Sequence, residues 1–217
     1  MFLEVGNLKF VFDLDGTICF RGQPLNSEIC TALDRCAEEG HEVVFASARP
    51  IRDMLPVLPK RFHGFRMVGG NGAFIYEQNN IHIAHFEQST LQSLMDLIEE
   101  YRLPYLADGR WDYSFTGPED HPIFQNLDPL HSALNVPLTK LDGIVKIVIF
   151  SKSKEIEQRL RALSVMVHTH GDEGIFDISP AEIDKWSGLQ KLGVLPRQFI
   201  AFGNDTNDLA MFEQAKE

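Results

Sequence analysis

The stretch Lys9-Phe10-Val11-Phe12-Asp13-Leu14-Asp15-Gly16-Thr17 joins an apolar run to two closely spaced carboxylates. Its β-branched and aromatic residues favour a buried strand, and Asp-Gly-Thr is typical of the turn that ends one. Asp13 and Asp15 would then lie at the carboxyl end of the strand, where open α/β sheets place their ligands. This pattern indicates either a divalent cation site with a nucleophile or proton carrier, or a strand-ending turn with solvated acids.

The composition is that of an ordinary globular chain. Its 217 residues are 44% hydrophobic, which suffices for one large domain or for a core with an insert. No apolar run approaches the roughly 18 residues of a membrane span, and Met1-Phe2-Leu3-Glu4 lacks the basic start of a secretory signal, so we expect a cytoplasmic protein. Cys19, Cys30 and Cys36 lack the spacing of a metal site and predict reduced thiols.

The charge of the chain restricts its partners. A formal net charge of −11 argues against nucleic acid and against anionic membrane surfaces. The same charge would repel a phosphate ester unless a cation screened it. Chemistry on phosphate esters by this chain would therefore require a metal ion.

A helix and a second strand follow the first loop. Residues 26–39 have the pattern of a crossover helix, and the apolar strand 42–46 runs into Ser47-Ala48-Arg49-Pro50. This β-α-β order predicts a parallel sheet. Ser47, at the carboxyl end of the second strand, would donate to a phosphoryl oxygen or would cap the helix that Pro50 opens.

The middle of the chain predicts a second α/β unit, over about residues 84–180. A glycine-rich loop, Gly69-Gly70-Asn71-Gly72, precedes it but lacks the lysine and the spacing of a nucleotide-binding loop. A hairpin formed by residues 76–77 and 81–83 would lead out of the core. The aromatic stripe at 111–115 favours the core of the second unit over a substrate wall.

The last segment holds a lysine at a helix start and a second polar loop. Lys185 opens an apolar-patterned helix, although a lysine there opposes the helix dipole. The apolar strand 199–202 runs into Asn204-Asp205-Thr206-Asn207-Asp208. The oxygen atoms of that loop would complete a cation site with Asp13 and Asp15, because hard cations take several oxygen ligands.

The Asp-x-Asp-Gly-Thr pattern after an apolar strand resembles the first motif of the haloacid dehalogenase (HAD) superfamily, most of whose members are Mg²⁺-dependent phosphotransferases. The resemblance continues in order through Ser47-Ala48-Arg49, Asn71-Gly72-Ala73, Lys185 and the 203–208 loop, and it fits the Cof-type, class IIB, sugar-phosphatase-like branch. The chain departs from the family pattern at two positions. Ala48 replaces the usual glycine, and Asn204 replaces the usual first aspartate of the last motif.

The resemblance implies an α/β fold, with a doubly wound, parallel, Rossmann-like HAD sheet and an inserted cap. The core domain would comprise residues 1–83 and 181–217, and a C2-type α/β cap would comprise residues 84–180. Family members continue with another strand and helix, so the C-terminal end of the core looks truncated. Strand 199–202 would then be an uncharged sheet edge, through which we expect self-association.

The resemblance also implies a Mg²⁺-dependent phosphomonoester hydrolase acting on a sugar phosphate or a similar small metabolite. Asp13 would form an aspartyl-phosphate and Asp15 would carry the proton, while Ser47, Lys185 and Asn207 would bind the phosphate. Either Asn204 or Asp205 would take the position of the usual aspartate ligand. The full set of candidate metal ligands is Asp13, Asp15, Asn204, Asp205 and Asp208.

Two other functions fit the same residues. A phosphomutase or other phosphotransferase would differ only in the group that accepts the phosphoryl, and release of inorganic phosphate without an acceptor would exclude it. A non-catalytic protein that binds a phosphorylated ligand is conceivable because of Asn204, and it would show no turnover on any ester. In either case the cap loops, which no motif describes, would select the ligand.

Overall fold

The computed structural model describes residues 7–170 and 174–216 of the chain. Two compact units are present, one formed by Met1–Ile81 with Lys185–Glu217 and the other by His82–Asp184. We refer to them as unit 1 and unit 2. Each contains a β-sheet with helices, so the predicted α/β class is confirmed. Unit 2 begins slightly before and ends slightly after the insert predicted at 84–180.

Unit 1 is built on a six-stranded sheet. Its strands are β1 (Lys9–Phe12), β2 (Glu42–Ala46), β3 (Arg66–Gly69), β4 (Phe74–Glu77), β5 (Asn80–Ile83) and β11 (Phe199–Phe202). The last two residues of β5 belong to unit 2. Its helices are α1 (Ser27–Glu38), α2 (Ile51–Met54), α6 (Lys185–Lys191) and α7 (Leu209–Phe212). The strand order is β11-β1-β2-β3-β4-β5. The strands β11, β1, β2 and β3 run parallel to one another, which confirms the predicted parallel sheet.

The parallel strands bury one face against the helices of unit 1. Val11, Val44 and Val68, from β1, β2 and β3, are fully buried in one cluster with Leu189 of α6. Helix α1 begins at a side-chain cap, since Asn26 Oδ1 accepts a hydrogen bond from the backbone of Ile29 at 2.8 Å. These local signals agree with the tertiary packing, so sequence reasoning located the central strands well.

A tight hairpin joins β4 to β5. Gln78 and Asn79 have φ angles of 52° and 63°, the conformation of a two-residue type I′ turn. The hydroxyl of Tyr76 donates to Asn79 Oδ1 at 2.8 Å. The predicted hairpin is therefore present, with Asn80 in the second strand rather than in the turn.

Unit 2 is built on a five-stranded sheet in which each of the described strand pairs is antiparallel. Its strands are β6 (Tyr105–Asp108), β7 (Tyr113–Phe115), β8 (Lys146–Phe150), β9 (Val165–His170) and β10 (Ile175–Pro180), in the order β7-β6-β8-β10-β9. Its helices are α3 (Gln88–Tyr101), α4 (Pro122–Asn126) and α5 (Lys154–Arg161). Helix α4 lies in the connection between β7 and β8. Among the described residues no helix is long and apolar enough to cross a bilayer.

The sheet of unit 2 packs apolar residues on both faces. One cluster combines Leu94 of α3 and Leu160 of α5 with Ile147 of β8. The opposite face carries a smaller cluster, against which Tyr113 and Phe115 pack. Two members of the aromatic stripe thus belong to a core, as the sequence favours.

Two further predictions concern the cysteines and the sheet edge. Cys19, Cys30 and Cys36 are free thiols, as predicted. Strand β11 is the terminal strand of the described sheet and pairs with β1, with Phe10 opposite Ile200. Self-association through this edge stays a prediction.

A charged cluster occupies the amino ends of three neighbouring strands. The carboxylate of Glu42, at the start of β2, accepts hydrogen bonds from Lys9 of β1 and Arg66 of β3. Burial alone would raise the pKa of the Glu42 carboxyl, but its two cationic partners outweigh that effect and hold the pKa below its usual range. The cluster therefore stabilises the fold most when Glu42 is ionised.

The substitution Glu42→Gln should lower the free energy of unfolding at pH 7 by about 1–2 kcal/mol, because a partly exposed hydrogen bond to charged groups is lost. The folded pKa lies below the unfolded value of about 4.3, so this contribution is complete above that value and disappears as the pH falls through the folded pKa. Urea melts between pH 3 and 7 should show the two proteins converging at low pH. The control is Glu38→Gln, at an exposed position, which should change the free energy of unfolding little. A pH-independent difference for Glu42→Gln would contradict this role.

Candidate active site

Several candidate residues meet at one edge of the unit 1 sheet, where neighbouring parallel strands end. Asp13 follows β1, Ser47 follows β2, and the 203–208 loop follows β11. The backbone N–H of Asp13 donates to the carbonyl of Phe202 at 2.9 Å, which joins the ends of β1 and β11. The parallel order therefore brings the predicted loops together at the edge where α/β sheets bind ligands.

Lys185 is the buried centre of this edge. Its Nζ donates to Asp13 Oδ1 and to Asp208 Oδ1, each at 2.7 Å, and its side chain has no exposed surface. Helix α6 can approach the sheet because residue 188 is glycine, where a Cβ atom would come within 2.5 Å of Val68 Cγ1. Two carboxylates thus compensate the unfavourable position of a lysine at a helix start.

Asp13 is almost completely buried, with 4% of its surface exposed. Burial raises the pKa of its carboxyl above the usual range, and the charge and hydrogen bond of Lys185 oppose that rise. The second carboxylate oxygen, Oδ2, accepts from the hydroxyl of Thr17 at 3.1 Å. The contact with Lys185 therefore favours the ionised form of Asp13, which is the form that can act as a nucleophile.

Asp15 makes a two-point ion pair with Arg49. The Nε and Nη2 atoms of Arg49 donate to the two carboxylate oxygens at 2.7 and 2.6 Å. Asp15 remains 47% exposed in its side chain. Burial lowers the pKa of the Arg49 guanidinium, but the hydrogen bonds and charge of Asp15, together with Cys19 and Asp53, raise it, and the net shift is upward. Burial, with the nearby charge of Asp15, also raises the pKa of the Cys19 thiol to about 11.

Sequence reasoning gave Arg49 no role, although it is the residue that holds Asp15. The available signal was its position two residues after Ser47, at the same strand end as the other candidates. Its side-chain direction depends on packing that no local pattern encodes. The Arg49 Nη1 atom reaches the carbonyl of Asp53 at 3.3 Å, which anchors the guanidinium on α2.

Ser47 and Asn207 are both buried at this edge. The Ser47 hydroxyl oxygen accepts from the backbone of Arg49 at 3.1 Å, so its own O–H is left to donate elsewhere. Helix α2 has Pro50 at its cap position without a side-chain cap, so Ser47 does not cap that helix directly. Asn207 Nδ2 donates to Asn71 Oδ1 at 3.0 Å.

The two acids of the last loop serve its own backbone. Asp205 is exposed and caps the turn at Thr206–Asp208, accepting from the backbone of Thr206 at 2.6 Å. Asp208 Oδ2 accepts from the backbone N–H groups of Asn204 at 2.9 Å and of Asp205 at 3.1 Å. With Oδ1 bound by Lys185, both carboxylate oxygens of Asp208 are already engaged.

Asn204 is the member of that loop that reaches Asp13. With its amide nitrogen directed inwards, Asn204 donates to Asp13 Oδ2 at 3.2 Å, to the carbonyl of Asp15 at 2.8 Å and to Thr17 Oγ1 at 3.0 Å. With the amide oxygen directed inwards, it accepts from the Thr17 hydroxyl at 3.0 Å. Residue 16 must be glycine for this approach, because a Cβ there would overlap the Asn204 amide and φ is +80°.

The oxygen atoms around Asn204 suit a hard cation. Within the described residues, no group of three or more His, Cys, Asp and Glu side chains is placed to hold a metal. Asp13 Oδ2 and the Asp15 carbonyl nevertheless face the Asn204 amide, and carboxylate, carbonyl and amide oxygens are the donors that Mg²⁺ and Ca²⁺ accept. The residues present fit such an ion, with Asn204 rather than Asp205 beside Asp13.

Comparison with known proteins identifies the family. Residues 10–217 match the family model of haloacid dehalogenase-like hydrolases, and the chain belongs to that family. The resemblance inferred from the ordered motifs is confirmed.

Individual relatives are distant in sequence but similar along most of their length. The 5-amino-6-(5-phospho-D-ribitylamino)uracil phosphatase YitU of Bacillus subtilis is 24% identical over 231 residues, covering 98% of this chain and 86% of the relative. The crystal structure of SMU.1108c from Streptococcus mutans superposes with a TM-score of 0.79 at 22% identity, covering 97% of this chain and 86% of that one. The HAD subclass IIB sugar phosphatase BT4131 gives 0.78 at 16% identity, with coverages of 96% and 85%. These structures support the fold.

The substitution Lys185→Met should lower the free energy of unfolding by about 3–5 kcal/mol, because it leaves the buried carboxylates of Asp13 and Asp208 without their shared cation. Urea denaturation at pH 7 would measure the loss. The matched control is Lys191→Met, which removes an exposed lysine from the same helix and should cost less than about 0.5 kcal/mol. Equal stabilities of the two variants would contradict the assignment of Lys185 as the buried link.

Proposed function

We propose that this chain is a Mg²⁺-dependent phosphomonoester hydrolase that forms an aspartyl-phosphate on Asp13. The observation that carries the proposal is the buried Lys185 ammonium, bound at 2.7 Å to both Asp13 and Asp208 at the carboxyl edge of a parallel sheet. Membership of the hydrolase family supports it, as does the similarity to a relative named as a phosphatase.

Asp13 would be the nucleophile. One of its carboxylate oxygens would attack phosphorus in line while the bond to the leaving alkoxide breaks, giving the aspartyl-phosphate. Water would then attack the same phosphorus, which releases inorganic phosphate and regenerates the carboxylate. Lys185 and Thr17, which donate to the two carboxylate oxygens, would hold Asp13 in one orientation through both steps.

Asp15 would give a proton to the leaving alkoxide and then take one from the attacking water. A carboxylate that accepts two N–H bonds from Arg49 has no proton to give. Proton donation therefore requires that Asp15 be protonated and exchange at least one of its bonds to Arg49 for the substrate oxygen. Arg49 would in turn stabilise the ionised carboxylate that acts as the base in the second step.

Ser47, Lys185 and Asn207 would hold the phosphoryl oxygens as negative charge develops on them. A bound Mg²⁺ would supply positive charge that screens the phosphate from the carboxylates. Asp13, the carbonyl of Asp15 and Asn204 would hold that ion. Asp205 and Asp208, proposed from sequence as further ligands, would act as supports for the loop because their carboxylates bind its backbone.

The proposed substrate is a sugar phosphate or another small phosphorylated metabolite. By its name the Bacillus subtilis relative dephosphorylates a ribityl phosphate, and BT4131 is described as a sugar phosphatase. A phosphomutase with the same site would need an acceptor for the phosphoryl group. A binding protein with the same site would hold the ester without cleaving it.

The substitution Asp13→Asn should reduce phosphate release from the best ester in a panel of phosphorylated metabolites to background, because the nucleophile is lost. Release of inorganic phosphate in the presence of Mg²⁺ is the measurement, and beryllofluoride, which mimics the acyl phosphate, should inhibit the unaltered protein. Residual activity within tenfold of the unaltered protein would rule out Asp13 as nucleophile. No release by the unaltered protein on any ester would favour a binding function.

A single-turnover assay with Asp15→Asn that follows release of the sugar or of p-nitrophenol, and so reports the first step alone, would test the proton carrier. p-Nitrophenol leaves as a stable anion, whereas a sugar alkoxide needs a proton. Asp15→Asn should therefore slow phosphoryl transfer from sugar phosphates much more than from p-nitrophenyl phosphate, in single-turnover measurements. Equal losses on both esters would argue against this role.

The substitution Asn204→Asp should lower the apparent Mg²⁺ requirement about tenfold, because it adds a charged ligand beside Asp13. In EDTA the variant should also melt at a lower temperature than the unaltered protein, since the added carboxylate repels Asp13. Mg²⁺ should then raise the melting temperature of the variant by more than it raises that of the unaltered protein. Asp205→Ala is the control and should leave the Mg²⁺-induced rise intact. Loss of that rise in Asp205→Ala, with no change in Asn204→Asp, would give the ligand role to Asp205.

A further inference from the structure

Asn71 connects two of the proposed phosphate-binding residues. It follows β3 at the same sheet edge and is 1% exposed. Its backbone N–H donates to the carbonyl of Ser47 at 3.1 Å. Its side-chain Oδ1 accepts from Asn207 Nδ2 at 3.0 Å, in a buried hydrogen bond between residues 136 positions apart in the chain.

The backbone of Asn71 is in a conformation that favours glycine. Its φ and ψ angles are 54° and 32°, in the left-handed region, and the adjacent Gly70 and Gly72 also have positive φ. Asparagine tolerates this region better than most residues but gains nothing over glycine from the backbone alone. An asparagine between two glycines therefore points to a requirement for its side chain.

The hydrogen bond to Asn71 fixes the direction of the Asn207 amide. An asparagine side chain can present either its oxygen or its nitrogen, and an oxygen turned towards a phosphate would repel it. Because Asn71 Oδ1 is an acceptor, it selects the orientation in which Asn207 Nδ2 lies on this side. Of the two hydrogens on Nδ2 one is used by Asn71, and the other remains available as a donor.

We propose that Asn71 is a positioning residue for phosphate binding: it orients the Asn207 amide as a donor and links that amide to the Ser47 main chain. The inference rests on the proposed function, since it concerns the same site. Donors that are already oriented need no rearrangement as charge develops on the phosphoryl oxygens. Asn71 itself need not touch the substrate, because it acts through Asn207.

A double-mutant cycle tests the proposal. Asn71→Gly keeps the left-handed backbone and removes the acceptor, Asn207→Ala removes the donor, and the third protein carries both changes. We expect each single change to lower kcat/KM for p-nitrophenyl phosphate about 10- to 100-fold. The kcat/KM of the double variant should lie within about twofold of that of Asn207→Ala, because without Asn207 there is no amide left to orient. If the loss in kcat/KM of the double variant equals the product of the two single losses, the proposal is overturned and Asn71 has a structural role only.

Controls separate positioning from folding. Asn79→Gly removes an asparagine of the same backbone conformation from the exposed hairpin turn, and it should leave kcat/KM unchanged. Glycine is the residue that this backbone favours, and if Asn71→Gly is nevertheless destabilised, the cycle is measured at a temperature at which circular dichroism shows all four proteins to be folded.

A second measurement separates this proposal from the proposed function. Binding of inorganic phosphate, measured by calorimetry in Mg²⁺, should weaken in the same non-additive pattern. If the unaltered protein binds phosphate and the variants weaken that binding non-additively, but no ester is cleaved, the hydrolase assignment fails and the positioning role stands. If the unaltered protein cleaves esters but the double variant loses the product of the two single losses in kcat/KM, the positioning role alone fails. Absence of phosphate binding would overturn the positioning role as well.

Discussion

The buried ammonium of Lys185 is the constraint on which the candidate site depends. Removing a charged group from water costs several kcal/mol, and only partners with good geometry can offset that cost. Asp13 and Asp208 meet the requirement at 2.7 Å each, from positions 172 and 23 residues away in the sequence. The ion pairs therefore tie helix α6 to the loops after β1 and β11, and the nucleophile candidate cannot be placed independently of them.

Uncharged amides supply much of the remaining polarity at this edge. Asn204 contacts the Asp13 carboxylate, and Asn71 and Asn207 form a buried amide pair. An amide can donate or accept according to its neighbours, and it adds no charge to a region that already holds several carboxylates. At residue 204 the amide can satisfy Asp13 directly, which a carboxylate could do only if a cation or proton lay between them.

The sequence was most informative where local pattern and tertiary position coincide. The apolar strands 9–12, 42–46 and 199–202 could be located from composition, and a parallel sheet brings their carboxyl ends to one edge, so Asp13, Ser47 and the last loop were expected to meet. The two-point contact of Arg49 with Asp15 could not be predicted, because it depends on side-chain directions set by packing. The capping role of Asp205 was equally hidden, since a short polar loop can fold around any of its acids. Two pairings of the unit 2 sheet, β6 with β8 and β8 with β10, join strands that are distant in sequence, and no local signal predicts them.

The charged residues at the two ends of the unit 1 sheet differ in their exposure to water. At the amino ends, Glu42 binds Lys9 and Arg66 in a partly exposed cluster, with 21–32% of each side chain accessible, so water shares the cost of ionisation. At the carboxyl ends, Lys185 and Asp208 have no exposed side-chain surface, and loss of one partner would leave a charge that water cannot reach. Each single substitution at the amino ends should therefore lower the free energy of unfolding only modestly. Those at the carboxyl ends should affect folding and chemistry together, because the same contacts hold the loops and orient Asp13.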